Sequence, residues 1–194
     1  MKYFIFLFLF IPGLLAAKNL QAENSPANRK SADRIVVRTI CEPIGQKGEQ
    51  LDLCVDNYEG TEEYYQVDAY YLKSSSGRKD LNIGGGFCTF KLMASPDRNY
   101  IVIEECAGEG HAMFSVANLD DIRANKEQPA ACGGLDDLSG YSSLKWQGEI
   151  LYFEATADLL AGQRVFDGND RIYRYRLFPA DHCRLVQFGS SMPD

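Results

Sequence analysis

The feature that most constrains the fold is a weak internal repeat: a strand, a tight turn and a second strand return about every fifty residues, a period typical of stacked β-units. The middle copy is the sharpest. Met93-Ala94 leads through Ser95-Pro96-Asp97 into Tyr100 to Cys106, and a turn at Gly108 and Gly110 leads on to Met113 to Leu119. Proline presets φ for such a turn, the aspartate can bond the backbone just after it, and the run Ile101-Val102-Ile103 suits a pleated strand. The copy before it pairs Leu51 to Asp56 with Tyr64 to Leu72 across an acidic turn around Gly60. The copy after it pairs Gly148 to Glu154 with Arg171 to Phe178 across a longer insertion. Arg34 to Cys41 reads as an opening strand, stopped by Pro43 and Gly45, and Cys183 to Phe188 as a closing one. Strand-like pieces, Gly86 to Leu92 and Ser142 to Trp146, precede the second and third units. Helical signal is thin, since neither Leu119 to Lys126 nor Ala155 to Gln163 carries an apolar stripe long enough for a stable surface helix. The pattern predicts one all-β domain over residues 34–194, built of antiparallel meanders in about three units.

The N-terminus has the charged start, apolar middle (Tyr3 to Ile11) and small-residue end of a secretory signal. Residues 1–22 are expected to be removed; Ala22 is preferred to Ala17 as the cleavage point because an acidic residue then follows at once. The apolar core is shorter than the roughly 20 residues a membrane helix needs, so no membrane insertion is expected after cleavage. Residues 23–33 read as a flexible polar leader. The full chain carries a net charge of −7, and loss of Lys2 and Lys18 leaves 18 basic against 27 acidic residues, a net charge of −9. Such a balance argues against nucleic acid or an anionic membrane surface as partner.

All six cysteines, Cys41, Cys54, Cys88, Cys106, Cys132 and Cys183, lie in the mature part. An even number in an exported chain argues for disulfides, and six cysteines allow fifteen pairings. The repeat selects among them. Cys41 and Cys88 lie on strands preceding Leu51 to Asp56 and Tyr100 to Cys106, while Cys54 and Cys106 lie on those strands themselves. Adjacent antiparallel strands bring Cα atoms to about 4.5–5.5 Å, within reach of a bridge, so the expected pairs are Cys41 with Cys54 and Cys88 with Cys106. Cys132 and Cys183 then remain for each other. Zinc is set aside because there is no Cys-x-x-Cys and the histidines are only His111 and His182. No cofactor or metal is expected, and the expected compartment is the periplasm or exterior of a bacterium.

Ser95-Pro96-Asp97-x-x-Tyr100-Ile101-x-Ile103, followed by Phe114-x-Val116-x-Asn118-Leu119, is similar to the WD-like blades of periplasmic Tol-type propeller proteins. Trp146-x-Gly148-x-Ile150-Leu151-Tyr152-Phe153 with Ile172 to Leu177 resembles the same blade more loosely. The resemblance covers about half the mature chain. It implies blade-like units in a small or irregular propeller, closed propellers having about four to eight blades, with a β-sandwich of meanders as the alternative. It also implies a binding scaffold that presents loops to partners, and it transfers no catalytic residue.

Candidate chemistry centres on Glu104, Glu105 and His111, beside the glycines of Gly108-Glu109-Gly110, where an acid-base pair could form. Strand alternation, however, puts the two glutamates on opposite faces. Asp167-Gly168-Asn169-Asp170, Asp120-Asp121 and Asp136-Asp137 lack calcium-loop spacing, and Gly84-Gly85-Gly86 lacks the lysine of a phosphate loop. No serine lies in a Gly-x-Ser-x-Gly elbow. Tyr58, Tyr64, Tyr65, Tyr70 and Tyr71 crowd the first unit, with Tyr64, Gln66, Asp68 and Tyr70 on one face of an alternating strand. Tyr64, Tyr70, Tyr141 and Trp146 are the candidate binding residues, and Ser139-Gly140-Tyr141 is the loop of first interest for an inhibitor of a secreted hydrolase. The expected function is that of an exported, non-enzymatic binding protein for a protein or glycan partner in the cell envelope. The alternatives are an inhibitor of a secreted hydrolase such as lysozyme, and a hydrolase using a Glu/His pair.

Overall fold

The computed structural model describes residues 35–58, 66–83, 88–106, 112–129, 131–132, 141–156, 158–160 and 172–189, with backbone alone for 66–68. The expected meanders are present as three antiparallel sheets. The first contains β1 (Val36–Pro43), β2 (Leu51–Tyr58), β3 (Gln66–Ser74) and β4 (Gly77–Asp80). The second contains β5 (Thr89–Ala94), β6 (Tyr100–Cys106) and β7 (Ala112–Asn118), and the third β8 (Tyr141–Gln147), β9 (Ile150–Ala155), β10 (Tyr173–Phe178) and β11 (Arg184–Phe188). Within each sheet the strands pair in chain order. β4 has no counterpart in the sequence reading; all four of its residues are exposed at a sheet edge, so it carries no apolar signal.

Local chemistry sets the turns. The Arg98 N–H donates to the Ser95 carbonyl at 2.9 Å, the buried Ser95 hydroxyl donates to the Tyr100 carbonyl, and the Asp97 carboxylate accepts from Asn99. That is the turn the Ser-Pro-Asp sequence predicts. Gly148 takes φ +59° in the two-residue connection between β8 and β9, a region open to glycine at little steric cost. A single helical turn, α1 (Leu119–Arg123), is capped by the Asn118 side chain, which accepts from the N–H groups of Asp120 and Asp121.

Two apolar clusters show how the sheets face one another. Leu53, Val55, Tyr70 and Leu72 of the first sheet pack with Leu92, Ile101 and Ile103 of the second and with Leu119 and Ile122 of α1. Val102, Phe114 and Val116 of the second pack with Leu151, Phe153, Tyr173, Tyr175 and Leu177 of the third. The middle sheet is thus covered on both faces. This explains why β6 reads as a continuous apolar run, since alternate residues enter different cores. Phe114 meets Phe153 edge to face, with ring centroids 5.2 Å apart.

All three expected disulfides are present: Cys41–Cys54, Cys88–Cys106 and Cys132–Cys183, with Cα separations of 4.1, 5.2 and 5.4 Å. Cys41 and Cys54 are direct cross-strand partners. The three bridges fit an oxidising compartment. Among the described residues no helix is long and apolar enough to cross a membrane.

Candidate functional site

Strand alternation on β6 sends its two glutamates in opposite directions, as expected. Glu105 accepts from the Tyr70 hydroxyl of the first sheet at 3.1 Å, and that hydroxyl also bonds Thr89 at 2.7 Å. Glu104, 6% exposed, accepts from the Tyr141 hydroxyl of the third sheet at 3.0 Å. Lys91 lies 3.0 Å from the other Glu104 oxygen and supplies charge rather than an aligned hydrogen bond. The pair of glutamates therefore fastens the middle sheet to both neighbours. His111 and Gly108 to Gly110 lie outside the described residues, as do Tyr64, Tyr65, Ser139, Gly140, Gly84 to Gly86, Asp136-Asp137 and Asp167 to Asp170.

Two of the three candidate binding residues within the described part, Tyr70 and Trp146, are placed differently from the expectation. Tyr70 is 1% exposed and Trp146 8%, so both belong to the cores rather than to a recognition face. Trp146 donates its indole N–H to the Met93 carbonyl at 2.9 Å, which ties β8 to β5. The alternation drawn through Tyr64, Gln66, Asp68 and Tyr70 is broken by a β-bulge, because Asn57 pairs with Val67 while Asp56 pairs with Ala69, leaving Asp68 as the extra residue. Tyr71, also buried, donates to Asp56 and lies under Arg78, whose guanidinium carbon is 3.6 Å from the ring centroid. Asp120 and Asp121 pair with Arg123 and Lys126.

Burial, reinforced by the charge of Glu105, raises the Tyr70 hydroxyl pKa well above its ordinary value. Burial and Glu104 do the same to Tyr141, and burial pushes Tyr175 up to about 12. Each phenol is kept neutral and donating. Replacing Tyr141 with phenylalanine leaves a buried charged acceptor short of a donor and is expected to cost about 2 kcal/mol. Urea unfolding of Tyr141→Phe tests this; an unchanged midpoint would remove Tyr141 from the structural set.

Among the described residues, the outer face of the third sheet carries a set of side chains that the sequence reading did not single out. The intermediate-exposure residues of β9 and β10, Tyr152, Glu154, Arg174, Arg176 and Phe178, alternate with core residues and face away from the second sheet. Register places Arg176 opposite Tyr152 and Val186, and Arg174 opposite Glu154 and Phe188. Arg176 lies over the Phe188 ring at 5.4 Å, Arg184 over Phe178 at 4.2 Å, and Tyr152 meets Phe188 edge to face at 5.7 Å. Arg174 donates to Glu154 at 2.8 Å. The clue was the alternating run Tyr173-Arg174-Tyr175-Arg176, but the partners on neighbouring strands come only from the sheet.

Among the described residues no group of histidine, cysteine and carboxylate side chains is arranged to hold a metal ion. No known protein family, curated protein or solved structure matches the chain.

Proposed function

We propose that the chain is an exported, non-enzymatic binding protein that engages a partner protein of the cell envelope through the outer face of its third sheet. The observation that carries this reading is the grid of arginines stacked on phenylalanines there. Arginine and aromatic residues are enriched where protein interfaces form, and side chains already locked in place lose little entropy on docking. Export rests on the charged, then apolar, then small-residue N-terminus and on three disulfides in place of free thiols. The glutamates of β6 support the non-enzymatic part, since both are held in hydrogen bonds that join sheets.

The test is capture from an envelope extract by immobilised wild-type protein and by the double variant Arg176→Glu, Arg184→Glu, with thermal unfolding as a folding control. Recovery of a partner in near-stoichiometric amount, reduced at least tenfold by the double variant, is expected. Equal recovery by the two proteins would remove the third sheet as the docking face. Recovery of nothing above background would remove the binding reading itself. A lysozyme assayed with excess protein separates binding from inhibition.

A further inference from the structure

All six cysteines are among the described residues, and their surroundings differ. Cys54, Cys88 and Cys132 are buried, Cys106 and Cys183 are half-buried, and Cys41 alone is exposed. Cys41 lies on β1, an edge strand on which six of eight residues are exposed and none is buried. Access governs thiol exchange, so the bridge with an exposed member is the one that a thiol from solvent reaches first.

The outer part of β1 is lightly held apart from this bridge. Its ladder to β2 is interrupted, since Val36 pairs with Tyr58 and Arg38 with Asn57, which leaves Val37 as an extra residue. Ile40 packs on the first core from a half-buried position, and the Thr39 hydroxyl donates to Asp56 at 2.7 Å. Beyond Pro43 the chain is anchored, because Ile44 is fully buried and its N–H donates to the Leu51 carbonyl at 2.9 Å. The bridge therefore pins the stretch that precedes this anchor.

That stretch covers two strand edges. On one side β1 pairs along β2. On the other its side chains take up backbone groups of β5, the edge strand of the second sheet: Arg38 donates to the Phe90 carbonyl at 3.4 Å, and Glu42 accepts from the Ala94 N–H at 3.1 Å. With β1 withdrawn, β2 and β5 would each present unpaired backbone groups, the template on which an edge takes up another strand.

We propose that the Cys41–Cys54 bridge is a reducible latch: thiol exchange at Cys41 releases β1 and uncovers the edges of β2 and β5, while the other two bridges keep the domain folded. The reductant is a dithiol. One of its thiolates attacks the Cys41 sulfur and bonds to it, the Cys41–Cys54 bond breaks, and Cys54 leaves with the electron pair and takes a proton. The second thiol attacks the mixed disulfide and frees Cys41, which takes the other proton. The protein bridge thus gains two electrons and two protons, and the dithiol becomes a disulfide. The latch is separate from the docking face on the third sheet and stands or falls independently of it.

The fully oxidised native protein is incubated with dithiothreitol as the dithiol, and samples taken over time are quenched in acid, unfolded and alkylated. Peptide mapping then locates the new thiols. Cys41 and Cys54 are expected to appear at least tenfold faster than the other four. Another pair appearing first, or all six appearing together, would overturn the proposal. Hydrogen exchange reads the release itself. In the double variant Cys41→Ser, Cys54→Ser, the amides of residues 36–42 are expected to exchange at least tenfold faster than in the oxidised wild type, with those of β9 and β10 unchanged. Equal protection of β1 in the two proteins would overturn the latch even where the bridge is reduced first. If the double variant does not fold, the same exchange measured on wild type reduced at Cys41 and Cys54 alone decides, and unchanged protection of β1, or loss of protection in β9 and β10, would overturn it.

Discussion

Replacing Cys132 and Cys183 together with serine is expected to lower the unfolding free energy by about 4 kcal/mol, the largest loss among the three bridges. The sequence separation of this pair is 51, against 13 for Cys41–Cys54 and 18 for Cys88–Cys106. In the chain-entropy picture the shorter loops contribute about 3 kcal/mol each. Geometry points the same way. Cys41 and Cys54 are neighbours on strands already joined by ladder hydrogen bonds, whereas Cys132 follows Ala131, whose N–H donates to Val116 of the second sheet, and Cys183 lies just before β11 of the third. The long bridge therefore joins two sheets that otherwise meet through side chains. Denaturant titration of the three double-serine variants under non-reducing conditions measures the order. A smaller loss for Cys132/Cys183 than for Cys41/Cys54 would show that the second and third sheets hold together without the bridge.

The second large effect is alkaline loss of stability. Tyr70 and Tyr175 are 1% and 0% exposed, and burial raises both hydroxyls above the ordinary tyrosine value of 10.0. A group whose pKa is higher in the folded state contributes stability that is complete below the unfolded value and is lost as pH rises toward the folded one. Here that window opens near pH 10 and reaches about 12 for Tyr175, with Tyr70 titrating later still. Each such tyrosine contributes a slope of about 1.4 kcal/mol per pH unit, so the two together give about 3 kcal/mol per unit. Urea midpoints measured at pH 8, 10 and 11 should be flat over the first interval and fall steeply over the second. Tyrosinate absorbance should then rise in step with loss of the near-ultraviolet circular dichroism. Smooth ionisation of every tyrosine near pH 10 with the dichroism intact would show that these phenols are not buried in solution.

Some of this was readable from residue order because it depends on neighbours along the chain or on one adjacent strand. The Ser95-Pro96-Asp97 turn, the three hairpin units and the split of Glu104 from Glu105 follow from turn chemistry and from a side-chain period of two. The cysteine pairs followed as well, since equivalent places in a repeat on adjacent antiparallel strands are within bridging distance.

Alternation divides a strand into two faces but does not say which face another sheet will cover. That choice was made by the stacking of three sheets. It buried Tyr70 and Trp146, turned both glutamates of β6 into fastenings between layers, and left the arginines of β10 outside. Nor does residue order announce a bulge. Val37, Asp68 and Phe90 are each displaced by one residue against their partner strands, and every such shift reassigns the side chains beyond it. Pairing within a sheet is a local matter of backbone hydrogen bonds and turn length. Which faces meet depends instead on apolar area contributed by segments far apart in the chain, and that is where only the tertiary structure could decide.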